Sequence, residues 1–188
     1  MSDPHRKDEI VAQLRQVQQG ISQTAQAIPT AQFFQGTAEA WSPCDYLKHL
    51  LLAVKPFAKG LNYPPEQIGT LFGVPDHPSR SFAEVGAVYQ AQLSRGLRAE
   101  DVPNMLPVGY RMPEGVTDVQ IYLIESWNDA HVKLYAGLSH WSEADLDSHQ
   151  FNHAALGLMT VREILFFTIY HNTMHWHDIQ VAAQPAQA

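Results

Sequence analysis

The last long helix predicted from the sequence constrains the fold more than any other stretch. Residues 160–180 read TVREILFFTIYHNTMHWHDIQ, with neither Pro nor Gly inside the run. Thr160 is a favourable N-cap residue, and Glu163 three residues later completes a capping box. Apolar side chains recur at helical spacing at Ile164, Phe167, Tyr170 and Met174. The stretch therefore predicts one long helix that begins at Thr160 and turns one side toward a core.

Two histidines on this helix are spaced as ligands of one ion would be. His171 and His175 are four residues apart, so they share a helical face about one turn from each other. Two imidazoles at this spacing can bind one metal ion at about 2.0–2.1 Å each. The alternative is that two polar residues merely share a face. A third histidine that meets them would favour a metal site.

Composition narrows the class of protein. The chain has 188 residues, 45% of them hydrophobic and 16% charged, which is typical of one globular domain spanning residues 1–188. Its formal net charge of −7 argues against nucleic acid or an anionic membrane surface as partner. No apolar run has the length of a membrane span or of a signal peptide. The single cysteine, Cys44, fits a reducing compartment, so we expect a cytoplasmic protein.

The rest of the chain predicts three more long helices and no strand pattern. They cover residues 4–28, from Pro43 (with Ser42 as N-cap) to about Leu61, and 117–141. Residues 62–115 are rich in Pro and Gly and read as a crossover insertion with one helix at about 81–97. Residues 29–41 and 142–159 read as connectors, and 182–188 as a frayed Ala/Gln tail. The predicted class is all-α: a four-helix bundle whose long crossover lets its second and third helices run parallel.

Two further histidines fall on the predicted bundle helices. His49 lies in the middle of the second helix, on the flank of its apolar stripe. His131 occupies an inward-facing position on the third helix. Metal sites in helical bundles are built from side chains on facing helices. His49 could therefore meet His171 and His175 inside the bundle.

Two segments resemble a known family. WSPCDYLKHL around His49 and the C-terminal HAALGLMTVREILFFTIYHNTMHWHDIQ are similar to the DinB/YfiT-like metalloenzymes. In that family, one histidine of the second helix and an HxxxH pair of the last helix bind a divalent metal. The resemblance implies that His49, His171 and His175 bind Zn, Ni or Fe. It also implies an up-down-down-up four-helix bundle, which agrees with the crossover, and homodimers are common in the family.

The implied chemistry follows from three protein ligands that leave coordination positions open. By resemblance, it would be hydrolysis or thiol S-transfer on a small-molecule substrate, with a low-molecular-weight thiol as cosubstrate in the second case. The HExxH pattern of zincins does not apply, because Asn172 follows His171. The competing interpretation is a non-catalytic bundle that binds a metal or a small ligand, or a stress-response interaction protein.

The remaining polar candidates are assigned lesser roles. We predict a pocket or proton-transfer role for His131, with a core histidine as the alternative. Asp178, three residues after His175, is a candidate partner for a ligand imidazole. No metal role is expected for His149, His153 or His177. Cys44, in the first turn of the second helix, is expected to be inert rather than a catalytic thiol.

Overall fold

The computed structural model describes residues 4–37 and 40–184. Within these residues the chain forms eight α-helices and one antiparallel pair of strands. The elements are α1 (Lys7–Ala27), α2 (Thr30–Phe33), α3 (Pro43–Leu61), α4 (Pro65–Phe72), α5 (Phe82–Ser94), α6 (Val119–Leu138), α7 (Glu143–Ser148), β1 (Gln150–His153), β2 (Gly157–Thr160) and α8 (Val161–Ala182). Two short 3₁₀ turns lie at Ala99–Asp101 and Pro107–Gly109.

The mostly helical class and the four long helices are confirmed, with small shifts at their ends. Helix α8 begins after Thr160, whose Oγ1 accepts a hydrogen bond from the backbone N–H of Glu163 at 3.2 Å. Ser42 caps α3 in the same way, by accepting from the backbone N–H of Asp45. Helix α6 begins two residues later than predicted, because Asp118 is its N-cap. No helix in the described part of the chain is long and apolar enough to cross a membrane.

The crossover contains two α-helices where the sequence predicts one. The missed helix is α4, which begins directly after Pro64 and buries Ile68. Proline is favourable at the first helical position, where its missing N–H costs nothing. A helix of eight residues that includes two turn-forming residues, Pro65 and Gly69, is nevertheless easily mistaken for a loop.

The expected connector at 142–159 is wrong, because this segment contains helix α7, strand β1 and most of strand β2. The two strands pair antiparallel, with Gln150 opposite Thr160 and His153 opposite Gly157. A strand of four residues is too short for an alternation of apolar and polar side chains to be detected in the sequence. The pair is held against the crossover because the side-chain amide of Gln150 donates to the carbonyls of Phe72 and Val74.

The core lies between the four long helices, where α1 and α3 each contact both α6 and α8. Its largest fully buried side chains include Trp127, Phe166 and Leu50. Indole N–H groups inside it find backbone partners, since Trp127 Nε1 donates to the carbonyl of Gln18 at 3.1 Å. The helices are therefore packed closely enough to hold side chains on facing helices in defined positions.

A buried ion pair attaches the crossover to the start of α8. Arg80 donates through Nε and Nη2 to the carboxylate of Glu163, at 2.8 and 3.0 Å. The Glu163 side chain is fully buried. Ser79 and Thr160 add a hydroxyl–hydroxyl hydrogen bond of 2.7 Å beside it. Helix α5, which follows directly, packs against α8. The crossover is thus anchored to the helix that carries two of the candidate ligands.

Candidate metal centre

Helices α3 and α8 bring His49, His171 and His175 together, as the sequence predicts. The Nε2 atoms of His49 and His171 are 3.1 Å apart. One ligand atom from each of the three residues lies within 4.8 Å of the other two. Two nitrogen ligands about 2.0–2.1 Å from one ion are ~3 Å apart at near-tetrahedral angles. The separation of the two Nε2 atoms has the size that a shared ion requires.

The partners of the Nδ1 atoms fix the tautomers of two of these rings. Nδ1 of His49 lies 2.8 Å from the backbone carbonyl of Met105. Nδ1 of His175 lies 2.8 Å from Oδ2 of Asp178. Both partners are oxygen acceptors, so each Nδ1 carries the proton and donates it. Nε2 of each neutral ring is left with a free lone pair, which is the state that binds a metal.

The third ring follows the same pattern more weakly. Nδ1 of His171 lies 3.4 Å from Oδ1 of Asn172. Three buried nitrogen lone pairs that converge on one point repel one another unless a cation or a proton lies between them. A divalent ion would satisfy all three at once, and nitrogen ligands are compatible with Zn, Ni or Fe. The donor set therefore fits a divalent metal.

Burial keeps the imidazoles of His49 and His171 neutral. It lowers the pKa of His49 to about 4, although the hydrogen bond to Met105 acts in the opposite direction. It also lowers the pKa of His171 well below the ordinary value, with the neighbouring His175 and His49 adding to the effect. Neutral imidazole is the form that coordinates a metal, so His49 and His171 can bind one without first losing a proton.

A cavity of about 910 Å³ opens beside the three histidines. Its walls come from α3, α8, the crossover, β1 and the β1–β2 turn, so the crossover insertion and the segment expected to be a connector at 142–159 form much of it. Apolar side chains lining it include Val54, Phe57, Ile68, Phe72, Leu93, Leu97, Val102, Phe151 and Phe167. Arg98, Glu100, Lys59 and Asp178 add charged groups to the lining. A cavity of this size is within the range of small-molecule sites.

The comparison with known families agrees with this geometry. The family model of the DinB superfamily matches residues 13–179. The chain belongs to the DinB superfamily. No curated protein and no solved structure gives a significant match to it. The match runs from α1 to the end of α8 and includes all three candidate ligands of this DinB-superfamily chain.

The carboxylate expected to support a ligand is in place. Asp178 accepts the hydrogen bond of His175 described above, so the predicted contact is confirmed. The partner of His49 could not be foreseen, because the Met105 carbonyl belongs to the backbone of the crossover and no side-chain pattern marks it. Tyr46 and Tyr89 also line the cavity, with ring centroids 5.5 Å from His175 and 6.1 Å from His171. In the sequence both tyrosines are indistinguishable from core aromatics.

His131 lies in a different environment. It is buried on α6, donates from Nδ1 to the carbonyl of Trp127 at 3.0 Å, and has its ring against Trp127 and Tyr135. Its Nε2 is buried without a hydrogen-bond partner in the described structure. These surroundings are those of a core histidine, and the residue is not part of the cavity lining. The catalytic role suggested for it stays a prediction.

The other minor candidates differ in exposure and in whether they line the cavity. His177 is exposed, and His149 packs its ring against Trp141 at 5.5 Å. Cys44 is buried, and burial raises the pKa of its thiol, which makes it a poorer nucleophile. His153 is different, because it lines the cavity.

Proposed function

We propose that this protein is a divalent-metal-dependent enzyme that acts on a small molecule at the His49, His171 and His175 site. One observation carries the proposal: three imidazoles, each with a ring nitrogen within 4.8 Å of one on both others, lie at the wall of a cavity of about 910 Å³. Metal ligands without an adjoining cavity would suit a structural site, which is usually closed. Membership of the DinB superfamily supports the same interpretation.

The proposed reaction is hydrolysis or S-transfer from a low-molecular-weight thiol. A bound divalent ion would polarise a substrate oxygen, or lower the pKa of a water or thiol. The chain's own part is to hold that centre and to exclude water. His49, His171 and His175 supply nitrogen ligands, while Asp178 and the Met105 carbonyl orient two of the rings.

The same proposal includes a single domain with an up-down-down-up four-helix bundle. Contacts between helix ends support it: Gln120 with Ala25, Asn62 with Lys133, Tyr46 with His175, and Trp176 with Thr24. The first and third contacts join the beginning of one helix to the end of another. The second and fourth join the C-terminal parts of two helices. Helices α3 and α6 would thus run in the same direction, as the long crossover between them allows.

The competing proposal is a non-catalytic bundle that holds a metal or ligand. A closed, dry site would favour it, whereas the observed cavity favours an enzyme. We place the enzyme in the cytoplasm because its single cysteine suits a reducing compartment. Its partner would be a small-molecule substrate, with a homodimer as one candidate assembly.

Two measurements test the proposal. Elemental analysis of purified protein should find divalent metal, and alanine at His49, His171 and His175 together should remove it. Matched alanine variants at His149 and His177 should retain it. Metal bound at full stoichiometry in the triple variant would refute the assignment of these three histidines as ligands.

The second measurement is a substrate panel of activated esters, amides and alkyl electrophiles, run on fully metallated protein with and without added thiols. Turnover that depends on the metal supports an enzyme. No turnover under any of these conditions would favour the binding protein instead.

A further inference from the structure

His153 differs from the three candidate ligands in the state of its ring. It is the last residue of β1 and lies at the turn that leads to β2. The backbone N–H groups of Ala155 and Leu156 donate to its Nδ1, at 3.3 and 3.2 Å. An atom that accepts two N–H groups carries no proton of its own. The proton of the neutral imidazole is therefore on Nε2, the opposite of the tautomer at His49 and His175.

That proton has no acceptor among the described residues. Within residues 4–37 and 40–184, no group receives a hydrogen bond from Nε2 of His153, although the ring lines the cavity. Burial lowers the pKa of His153 to about 4, so the ring is a neutral donor at neutral pH. A half-buried N–H donor without a hydrogen-bond acceptor costs free energy. A ligand in the cavity that supplies an acceptor would remove that cost.

The position of His153 relative to the metal centre is set by one aromatic ring. Its imidazole meets Phe167 edge-on, with centroids 4.3 Å apart. Phe167 in turn stacks on His171 at 5.1 Å. Phe167 therefore contacts both His153 and the candidate ligand His171. A molecule in the cavity could present one polar group to the metal and another to His153.

We propose that His153 is a substrate-binding residue whose Nε2–H donates to a carbonyl-type oxygen of the substrate. The substrate class is an uncharged or singly charged molecule with an apolar body and an oxygen acceptor distant from its reacting group. The apolar body would pack against the cavity wall around Phe57, Phe72 and Phe151. The inference rests on the proposed function for the presence of a substrate, but its test does not need turnover.

Two substitutions separate binding from a purely structural role. In His153→Asn the side-chain Oδ1 can still accept from the turn N–H groups, as in an Asx turn, but the donor that reaches the cavity is lost. In His153→Gln the amide Nε2–H can reach toward the cavity, but the turn loses its acceptor. A structural role predicts that Gln is the more damaging change, whereas substrate binding predicts that Asn is.

The probe is N-hexylacetamide, a stable carbonyl compound with an apolar chain, titrated into zinc-loaded protein and followed by NMR of the histidine side-chain nitrogens. We expect the free protein to show the Nε2–H tautomer at His153 and its Nε2–H signal to shift as the probe saturates. His153→Asn should bind the probe roughly fivefold or more weakly, the effect of one neutral hydrogen bond. His153→Gln should bind within about twofold of wild type, and His149→Asn, on the same segment, like wild type.

Three outcomes would overturn the inference: an Nδ1–H tautomer at His153, unchanged probe affinity in His153→Asn, or no binding of the probe to wild-type protein. Metal content and melting temperature of His153→Asn should equal those of wild type, which separates lost binding from lost folding. Probe binding through His153 in a protein with no turnover on the substrate panel would refute the proposed function and leave this inference standing.

Discussion

Nδ1 of His175 donates to Oδ2 of Asp178 across 2.8 Å, three residues further along α8. Because the contact lies within one helix, backbone geometry alone brings the carboxylate to the ring. The carboxylate holds the proton on Nδ1 and leaves the Nε2 lone pair for a metal. If the three histidines hold a metal, Asp178 would contribute to its affinity by orienting His175, without being a ligand itself.

Replacing this carboxylate should weaken metal binding. We expect Asp178→Ala to lower zinc affinity by about 10- to 100-fold, the usual cost of losing such a partner. A competition titration with a chromophoric chelator measures the change. Asp129→Ala, at an exposed position on α6, is the matched control and should bind zinc like wild type. An unchanged dissociation constant in Asp178→Ala would show that the carboxylate does not support the site.

Metal should stabilise the native fold. The ligands come from α3 and α8, so a bound ion joins two helices that are far apart in the chain. Zinc at 100 times its dissociation constant should add about 2.7 kcal/mol to the free energy of unfolding. Thermal unfolding with zinc and with chelator measures this. In His49→Ala the melting temperature should be the same with zinc as with chelator. An equal melting temperature under the two conditions in wild type would contradict the prediction.

His131 should make the metal-free fold sensitive to acid. Burial lowers its folded-state pKa to about 4 from 6.5, and the nearby Tyr135 and Arg15 contribute no acidic group that would oppose this. Below pH 6.5 the unfolded chain takes up the proton first, so stability falls until the pH reaches about 4. The loss attributable to this residue is about 3–4 kcal/mol, from a difference of about 2.5 pKa units at about 1.36 kcal/mol each.

Urea unfolding across this pH range, in chelator, tests the prediction. His131→Phe keeps an aromatic ring without a titrating group and should reduce the pH dependence by the share of this residue, while the buried His49, His153 and His171 keep theirs. His140→Phe, at an exposed position just after the end of α6, should leave the pH dependence as in wild type. Equal pH dependence in wild type and His131→Phe would show that His131 does not contribute.

Gly20 on α1 packs directly against the indole of Trp176 on α8. A Cβ there would overlap Cη2 and Cζ2 of Trp176 and lie 2.8 Å from Cε2. The indole is held in place because its Nε1 donates to Thr24 Oγ1 at 2.8 Å. Alanine gains about 1 kcal/mol over glycine in a helix interior, but overpacking of this kind costs about 1–3 kcal/mol.

Gly20→Ala should therefore destabilise the fold by about 1 kcal/mol or more, as measured by urea unfolding. Gly109→Ala is the control, because a Cβ there meets no atom of the described residues within 4 Å. Stabilisation by Gly20→Ala would mean that the two helices separate more easily than their packing indicates.

Local signals made much of the architecture predictable. The capping boxes at Ser42 and Thr160 act within one turn of backbone, so the starts of α3 and α8 are encoded next to the helices themselves. Helix α4 and the β1–β2 pair were missed because each is too short to show a period. Of the predicted frayed tail, Ala182 ends α8, and residues 185–188 lie outside the described structure.

The sequence by itself determined that His171 and His175 share one face of a helix, because their spacing matches the helical period. Only the tertiary structure decided what each histidine can do. It brought the Met105 carbonyl to Nδ1 of His49, Nε2 of His49 to that of His171, and His153 to the wall of the cavity. The reason is physical: the tautomer of an imidazole depends on the neighbours of its two nitrogens, and those of His49 are 56 and 122 residues away in the chain, whereas the Nδ1 partners of His153 and His175 lie within three residues.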